Sequence, residues 1–139
     1  MHLTDKSPSV TSATEPAEGL VHWRLEGFIT VDVLRQALEQ SLEHFGDHFG
    51  DMAPRRMLFD LREVTGYGSG TPSVARRFLD VATDLGAEQM TFVSHSSVLR
   101  TITHVMTAQS GGRIELRCFS SDQVARGWLA GEPLSDLLD

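Results

Sequence analysis

The stretch Met57-Leu58-Phe59-Asp60-Leu61-Arg62-Glu63-Val64-Thr65-Gly66-Tyr67-Gly68-Ser69-Gly70-Thr71-Pro72 decides how the rest of the chain is read. Its first five residues are mostly apolar and contain no glycine or proline, the pattern of a buried strand. Arg62-Glu63-Val64 turns polar, and a glycine-rich loop follows from Thr65. Thr71 is suited to cap a helix there, and Pro72 fits the first helical position, where a missing N–H costs nothing. Val74, Phe78, Val81, Ala82 and Leu85 then recur at helical spacing, with Gly86 available to end the helix. Strand, glycine loop and helix in that order make one unit of an α/β sheet.

The alternation continues in both directions. Upstream, Leu20-Val21-His22-Trp23-Arg24-Leu25 reads as a strand stopping at Glu26-Gly27. Thr30 caps a helix from Val31 to Phe45, Asp32 suits its first turn, and Gly46 is the expected stop. His44, Asp47 and His48 form a small polar cluster near that end. Downstream, Gln89 to Ser94 and Ile114 to Phe119 read as strands, and Ser97 to Gln109 and Asp122 to Ala130 as helices. Ser120 and Gln123 form a capping box for the last of these. The expected fold class is α/β, a mixed, mostly parallel sheet flanked by helices. Flavodoxin-like and thioredoxin-like arrangements share this alternation. Residues 1–18, rich in Ser, Thr, Pro and Glu, read as a flexible polar tail with an optional edge strand over Ser9 to Thr11, and one domain fills 19–139. Leu134, Leu137 and Leu138 of the terminal EPLSDLLD are available for packing.

Length and composition set the outer bounds. A chain of 139 residues fits one domain. Nineteen acidic against twelve basic residues give a formal charge of −7, which discourages a nucleic-acid footprint and a polybasic membrane anchor. One cysteine excludes an internal disulfide and a multi-thiolate metal site. The N-terminal residues carry no secretory pattern, so the expected location is cytoplasmic.

From Leu20 to Leu129 the chain resembles a STAS domain, in particular divergent relatives of bacterial anti-sigma-factor antagonists. The residues that carry the resemblance are the first strand ending Leu25-Glu26-Gly27, the capped helix from Val31, the strand LFDLREV and the terminal FSSDQVARGWL. The resemblance implies a non-catalytic interaction domain in partner-switching regulation, with a kinase-like regulatory protein as partner. In such domains a serine or threonine at the start of the second helix is phosphorylated. Asp60-Leu61 matches the family's aspartate-leucine step, and Gly68-Ser69-Gly70-Thr71 falls where the family has Asp-Ser-Ser/Thr-Gly. Here Gly68 takes the acidic position, Gly70 the phosphorylated one and Thr71 the glycine, which weighs against the classical phosphorylation switch.

Asp60, Gly66, Tyr67, Gly68, Ser69, Gly70, Thr71, Arg76 and Arg77 are therefore the candidate interaction or phosphorylation surface. Asp60 is expected to orient the loop by accepting backbone hydrogen bonds, the alternative being that it marks the solvent-facing end of the strand. The alternative reading is a protein or enzyme that holds a small anion or phosphate ligand on the glycine-rich loop 66–71, at a helix N-terminus. The loop has no Walker lysine and no GxGxxG pattern. His95 at a strand end and His104 in the next helix could converge with Ser94, Ser96 or Ser97, but no nucleophile elbow accompanies them, and the histidines show no metal-ligand spacing. Cys118 reads as a core or edge residue. The expectation is no catalytic residue, cofactor or metal, with oligomerisation open.

Overall fold

The structure is a computed structural model that describes residues 8–15, 19–49, 54–109 and 111–132. Nine elements follow in order: β1 (Ser9–Glu15), β2 (Leu20–Ile29), α1 (Val31–Phe49), β3 (Arg56–Tyr67), α2 (Thr71–Asp84), β4 (Gln89–Val93), α3 (Ser97–Gln109), β5 (Glu115–Phe119) and α4 (Asp122–Leu129). They form a five-stranded sheet in the spatial order β1-β2-β3-β4-β5. β1 is antiparallel to β2, and every later pair is parallel. The edge strand anticipated over residues 9 to 11 runs on to Glu15.

Strand alternation sends side chains to two faces. Val21, Trp23 and Leu25 of β2, Met57, Phe59 and Leu61 of β3, Met90 of β4 and Leu116 of β5 share the larger core. The apolar stripes of α1 and α2, Leu34, Leu38, Phe45, Phe78, Leu79 and Ala82, close over it. On the opposite face Leu20, Leu58 and Val93 meet Ala125, Trp128 and Leu129 of α4. Thr91 is fully buried, and its hydroxyl donates to Arg117 O at 3.1 Å.

Parallel register puts Trp23 beside Phe59 and Phe59 beside Phe92. The Trp23 and Phe59 rings stack at 4.6 Å and 5°, and Phe59 and Phe92 at 5.6 Å and 27°. Phe78 of α2 meets Trp23 and Phe59 edge-on, at 6.1 and 6.2 Å. Such contacts each add about 0.5–1.5 kcal/mol beyond the area they bury.

Two helix ends follow their signals. Thr30 caps α1, its Oγ1 accepting from Val33 N at 3.2 Å. α2 stops at Gly86, whose φ of 109° only glycine adopts readily, with Ala87 N donating back to Ala82 O at 3.0 Å. Elsewhere the outcome differs. α1 runs through Gly46 to Phe49, because a helical glycine costs only about 1 kcal/mol against alanine and cannot by itself end a helix. α4 is capped by Ser121, which accepts from Val124 N, and not by Ser120, one residue too early to face the free N–H groups. The side chains of His44, Asp47 and His48 and the segment 133–139 lie outside the described residues.

Phe59→Ala is expected to cost about 3–5 kcal/mol in urea unfolding, as a cavity opens between two stacked rings. Val98→Ala, on the exposed side of α3, is expected to stay within about 0.5 kcal/mol of the parent.

Candidate functional site

β4 pairs with β3 only from Arg56 to Asp60, whereas β2 follows β3 to its end at Tyr67. A two-stranded ribbon of β2 and β3 therefore projects beyond the sheet and carries the glycine-rich segment. The ribbon is irregular. Arg24 pairs with Asp60 but Glu26 with Glu63, and Gly27 pairs with Val64 but Phe28 with Gly66, so β3 twice takes an extra residue. Such bulges twist a strand and leave N–H groups outside the ladder.

Asp60 serves the first bulge. Its Oδ1 accepts from Arg62 N at 3.2 Å and from Arg62 Nε at 2.9 Å, and Oδ2 accepts from Arg62 Nη2 at 2.8 Å. The expected hydrogen bonds from Asp60 to loop 66–71 are not the ones formed. Alternation points the carboxylate to the α4 face, and the nearest backbone donor is the one the bulge frees. The hydrogen bonds from the Arg62 guanidinium hold the carboxyl below its ordinary 3.8, outweighing the opposing effect of burial. Arg62 also feels Asp122, in the first turn of α4.

The loop itself is a closed turn. Gly68 N donates to Ile29 O at 2.8 Å, which ties the loop to the end of β2. Thr71 is buried, and its Oγ1 donates to Gly68 O at 2.9 Å. The expected capping role of Thr71 is thus not taken up: its hydroxyl turns inward to hold the loop, and Gly70 occupies the cap position with φ 87° and ψ −8°. That left-handed conformation is strained for a residue with a side chain. Ser69 is exposed, and Arg76 and Arg77 are exposed on α2.

Two aromatic rings flank the loop on opposite faces of the ribbon. Phe28 lies across Gly66 and Gly68, and a Cβ on Gly66 would stand 3.1 Å from its ring. Tyr67 is 46 % exposed, yet the protein around its hydroxyl pushes it up to about 12, with Cys118 adding to the rise. Burial likewise pushes the Cys118 thiol up from 9.0, against the pull of Arg100. A protonated thiol is a poor nucleophile.

The segment after β4 has a structural use. Ser94 Oγ accepts from Ser96 N, and Ser96 Oγ accepts from Leu99 N at the start of α3. His95 and His104 are both exposed. Among the described residues, no three His, Cys, Asp or Glu side chains are grouped to hold a metal ion, and no helix is long and apolar enough to cross a membrane.

The nine candidate positions divide on this frame. Gly66, Tyr67, Gly68, Ser69, Gly70 and Thr71 are brought together at the ribbon's end, Arg76 and Arg77 lie exposed on α2 beyond it, and Asp60 stands apart on the α4 face. Phe28 and Val98 were missed from the sequence, although 49 % and 67 % exposed. Phe28 follows Leu25-Glu26-Gly27 directly, and its alternation with buried Gly27 and Ile29 was the available signal.

An antiparallel edge strand, four parallel strands, three helices on one face and one on the other make a mixed, mostly parallel α/β sheet fold of the SpoIIAA-like kind. An uncharacterised protein of the DUF3478 family from Shewanella loihica PV-4, described as having a SpoIIAA-like fold, matches with a TM-score of 0.67 and 13 % identity, over 92 % of this chain and 99 % of that one. An anti-sigma factor antagonist from Mycobacterium paratuberculosis matches with a TM-score of 0.58 and 15 % identity, over 88 % and 95 %. No protein-family model and no curated protein sequence matches the chain.

Two predictions follow from this geometry. Gly70→Ala is expected to lose about 1–2 kcal/mol of stability in chemical denaturation, because the added Cβ has room beside Val31 but the backbone is left-handed. Gly70→Asn, which tolerates that conformation, should recover part of the loss. Asp60→Asn is expected to cost about 1–3 kcal/mol at neutral pH. A carboxyl whose folded pKa is depressed stabilises above its unfolded value and loses that contribution as pH falls through the folded one. The gap between parent and Asp60→Asn should therefore close as the pH drops below 3.8.

Proposed function

We propose that the chain is a non-catalytic regulatory domain that binds a protein partner through the end of the sheet carrying the β3–α2 loop. The observation that carries the reading is the placement of exposed apolar groups. Phe28, Tyr67 and Val98 stand at the ends of β2 and β3 and at the start of α3, all at the carboxyl end of the parallel strands. Single exposed hydrophobics are ordinary, but several at one end of a domain mark a contact surface. Ile102 and Val105 continue the apolar exposure along α3. The glycine turn between the aromatics is tied to β2, so its shape is set before a partner arrives.

The finer reading is partner switching, with a kinase-like regulatory protein as the partner. It is supported by the likeness of the fold to an anti-sigma factor antagonist, and by the place of loop 68–71 along the chain, where STAS domains carry their regulatory loop, although only Ser69 keeps the residue type expected there. Ser69 is the hydroxyl suited to modification, since Thr71 is buried and engaged. Arg76 and Arg77, exposed on α2 beyond the loop, suit an acidic or phosphorylated neighbour.

The test recovers tagged full-length protein from its native cells in four forms: parent, Phe28→Ser, Ser69→Asp and Arg55→Ala. Arg55 pairs with Glu88 at the opposite end of the sheet. A partner should copurify with the parent and with Arg55→Ala, and be reduced about tenfold or more with the other two. Thermal unfolding confirms that each variant is folded. Undiminished recovery with folded Phe28→Ser and Ser69→Asp would overturn the assignment of this surface.

A further inference from the structure

α3 is apolar on two sides. Leu99 and Met106 turn toward the larger core, and Thr103, between them on the same face, is 4 % exposed. On the other side Val98, Ile102 and Val105 recur at the spacing of one helix face and are 67 %, 41 % and 50 % exposed. A helix apolar around most of its circumference is ordinarily buried, yet the described residues cover only the Leu99 and Met106 side. Nor does helix formation call for these residues. Valine and isoleucine lose side-chain freedom in a helix, and alanine, glutamate or lysine serve an exposed position better. Thr101, next to the stripe, adds little polarity, because its Oγ1 donates to Ser97 O at 3.1 Å within the helix.

Charge narrows what can cover the stripe. From Gln89 to Ile114 the sequence contains no aspartate or glutamate, although the chain has nineteen of them and a net charge of −7. Arg100 and His104 lie one turn apart, further round the exposed side of α3. Arg24, Arg35, Arg55, Arg62, Arg113 and Arg126 are each paired with a carboxylate, whereas Arg100 has no such partner among the described residues. An acidic partner supplies that carboxylate and meets no like charge from α3 itself. The helix has no lysine and one arginine, short of the basic face that holds a helix on an anionic membrane. Apolar anchors at this spacing fit the apolar face of a second amphipathic helix.

We propose that α3 docks an acidic amphipathic helix of the protein partner. Its apolar side chains lie against Val98, Ile102 and Val105, and its carboxylates face Arg100 and His104. The proposal rests on the reading of this end of the sheet as a partner surface, and it adds the chemistry of what binds there.

The probe is a fluorescein-labelled peptide of about 18 residues, long enough to hold a helix, with leucines on one face and glutamates flanking them. Titrated with the full chain at low salt, it should bind with a dissociation constant of about 100 μM or tighter, read by fluorescence anisotropy. Raising the salt to about 0.5 M should weaken binding about threefold or more. The same peptide with lysine at every glutamate should bind about tenfold more weakly or not at all. Ile102→Ser and Arg100→Glu should each weaken the acidic peptide about tenfold, while Arg55→Ala, at the opposite end of the sheet, should leave it unchanged. Val105→Ser serves if Ile102→Ser does not fold. The peptide reads α3 alone, so its failure is told apart from failure of the copurification test, which reads Phe28 and Ser69. No binding of the acidic peptide, equal binding of both peptides, or undiminished affinity in folded Ile102→Ser and Arg100→Glu would overturn the proposal. So would binding to phosphatidylglycerol vesicles in place of the peptide.

Discussion

The row Trp23–Phe59–Phe92 is the constraint on which the other features rest. Each ring belongs to a different strand, and parallel pairing brings them side by side only in one register. A shift of one residue in β3 would send Phe59 to the α4 face and bring Leu58 or Asp60 under α1 and α2. Phe78, edge-on to two of the rings, fixes α2 over the same row. The beginning of α2 is then determined, and with it the position of the turn from Gly68 to Thr71. The shape of the candidate surface is thus set by packing well removed from it.

Beyond Asp60 that constraint ends, since β4 no longer accompanies β3. The ribbon can take two extra residues without disturbing the aromatic row, and each one changes which side chain faces which side. After the first, Val64 returns to the larger core. After the second, Gly66 stands opposite Phe28 and Tyr67 opposite Ile29. The Asp60 carboxylate takes up the N–H of Arg62 at the first irregularity, and its pairing with the Arg62 guanidinium links that point to the charges of α4. Asp60 is a structural fitting at the root of the ribbon, one layer removed from the surface it was expected to organise.

Strand and helix periodicity made most elements legible because each depends on local alternation. β4, α3, β5 and α4 begin and end within about one residue of their sequence signals. Bulges are not local in that sense: whether Glu63 or Arg62 sits opposite Glu26 depends on the partner strand, and nothing in LFDLREV specifies it. Thr71 is misleading for a similar reason. Its hydroxyl can serve a helix N-terminus or a loop carbonyl equally well, and the choice falls to Gly70, whose left-handed backbone turns Thr71 inward. The loop composition announced a turn, but its exposed aromatic neighbour Phe28 comes from a strand far back in the chain, at position 28 against Gly66 at 66. Folding brings the two together, and a linear reading of the loop alone does not.

The same geometry separates the two hydroxyls on which charge-based regulation would act. A phosphate brings roughly −1.5 to −2 units of charge and three acceptor oxygens. On Ser69 it would project from the exposed side of the turn, just before α2, where the helix dipole favours an anion. The turn could keep its ties from Gly68 N to Ile29 O and from Thr71 Oγ1 to Gly68 O. On Thr71, 3 % exposed, the same group would first have to break the bond to Gly68 O and leave the interior. A kinase acting on Thr71 would therefore need the turn opened, whereas one acting on Ser69 would meet it in the closed form. Gly70, between the two hydroxyls, has no side chain to modify. The turn is closed by the bonds from Gly68 N and Thr71 Oγ1, and a charge added at Ser69 would leave both in place.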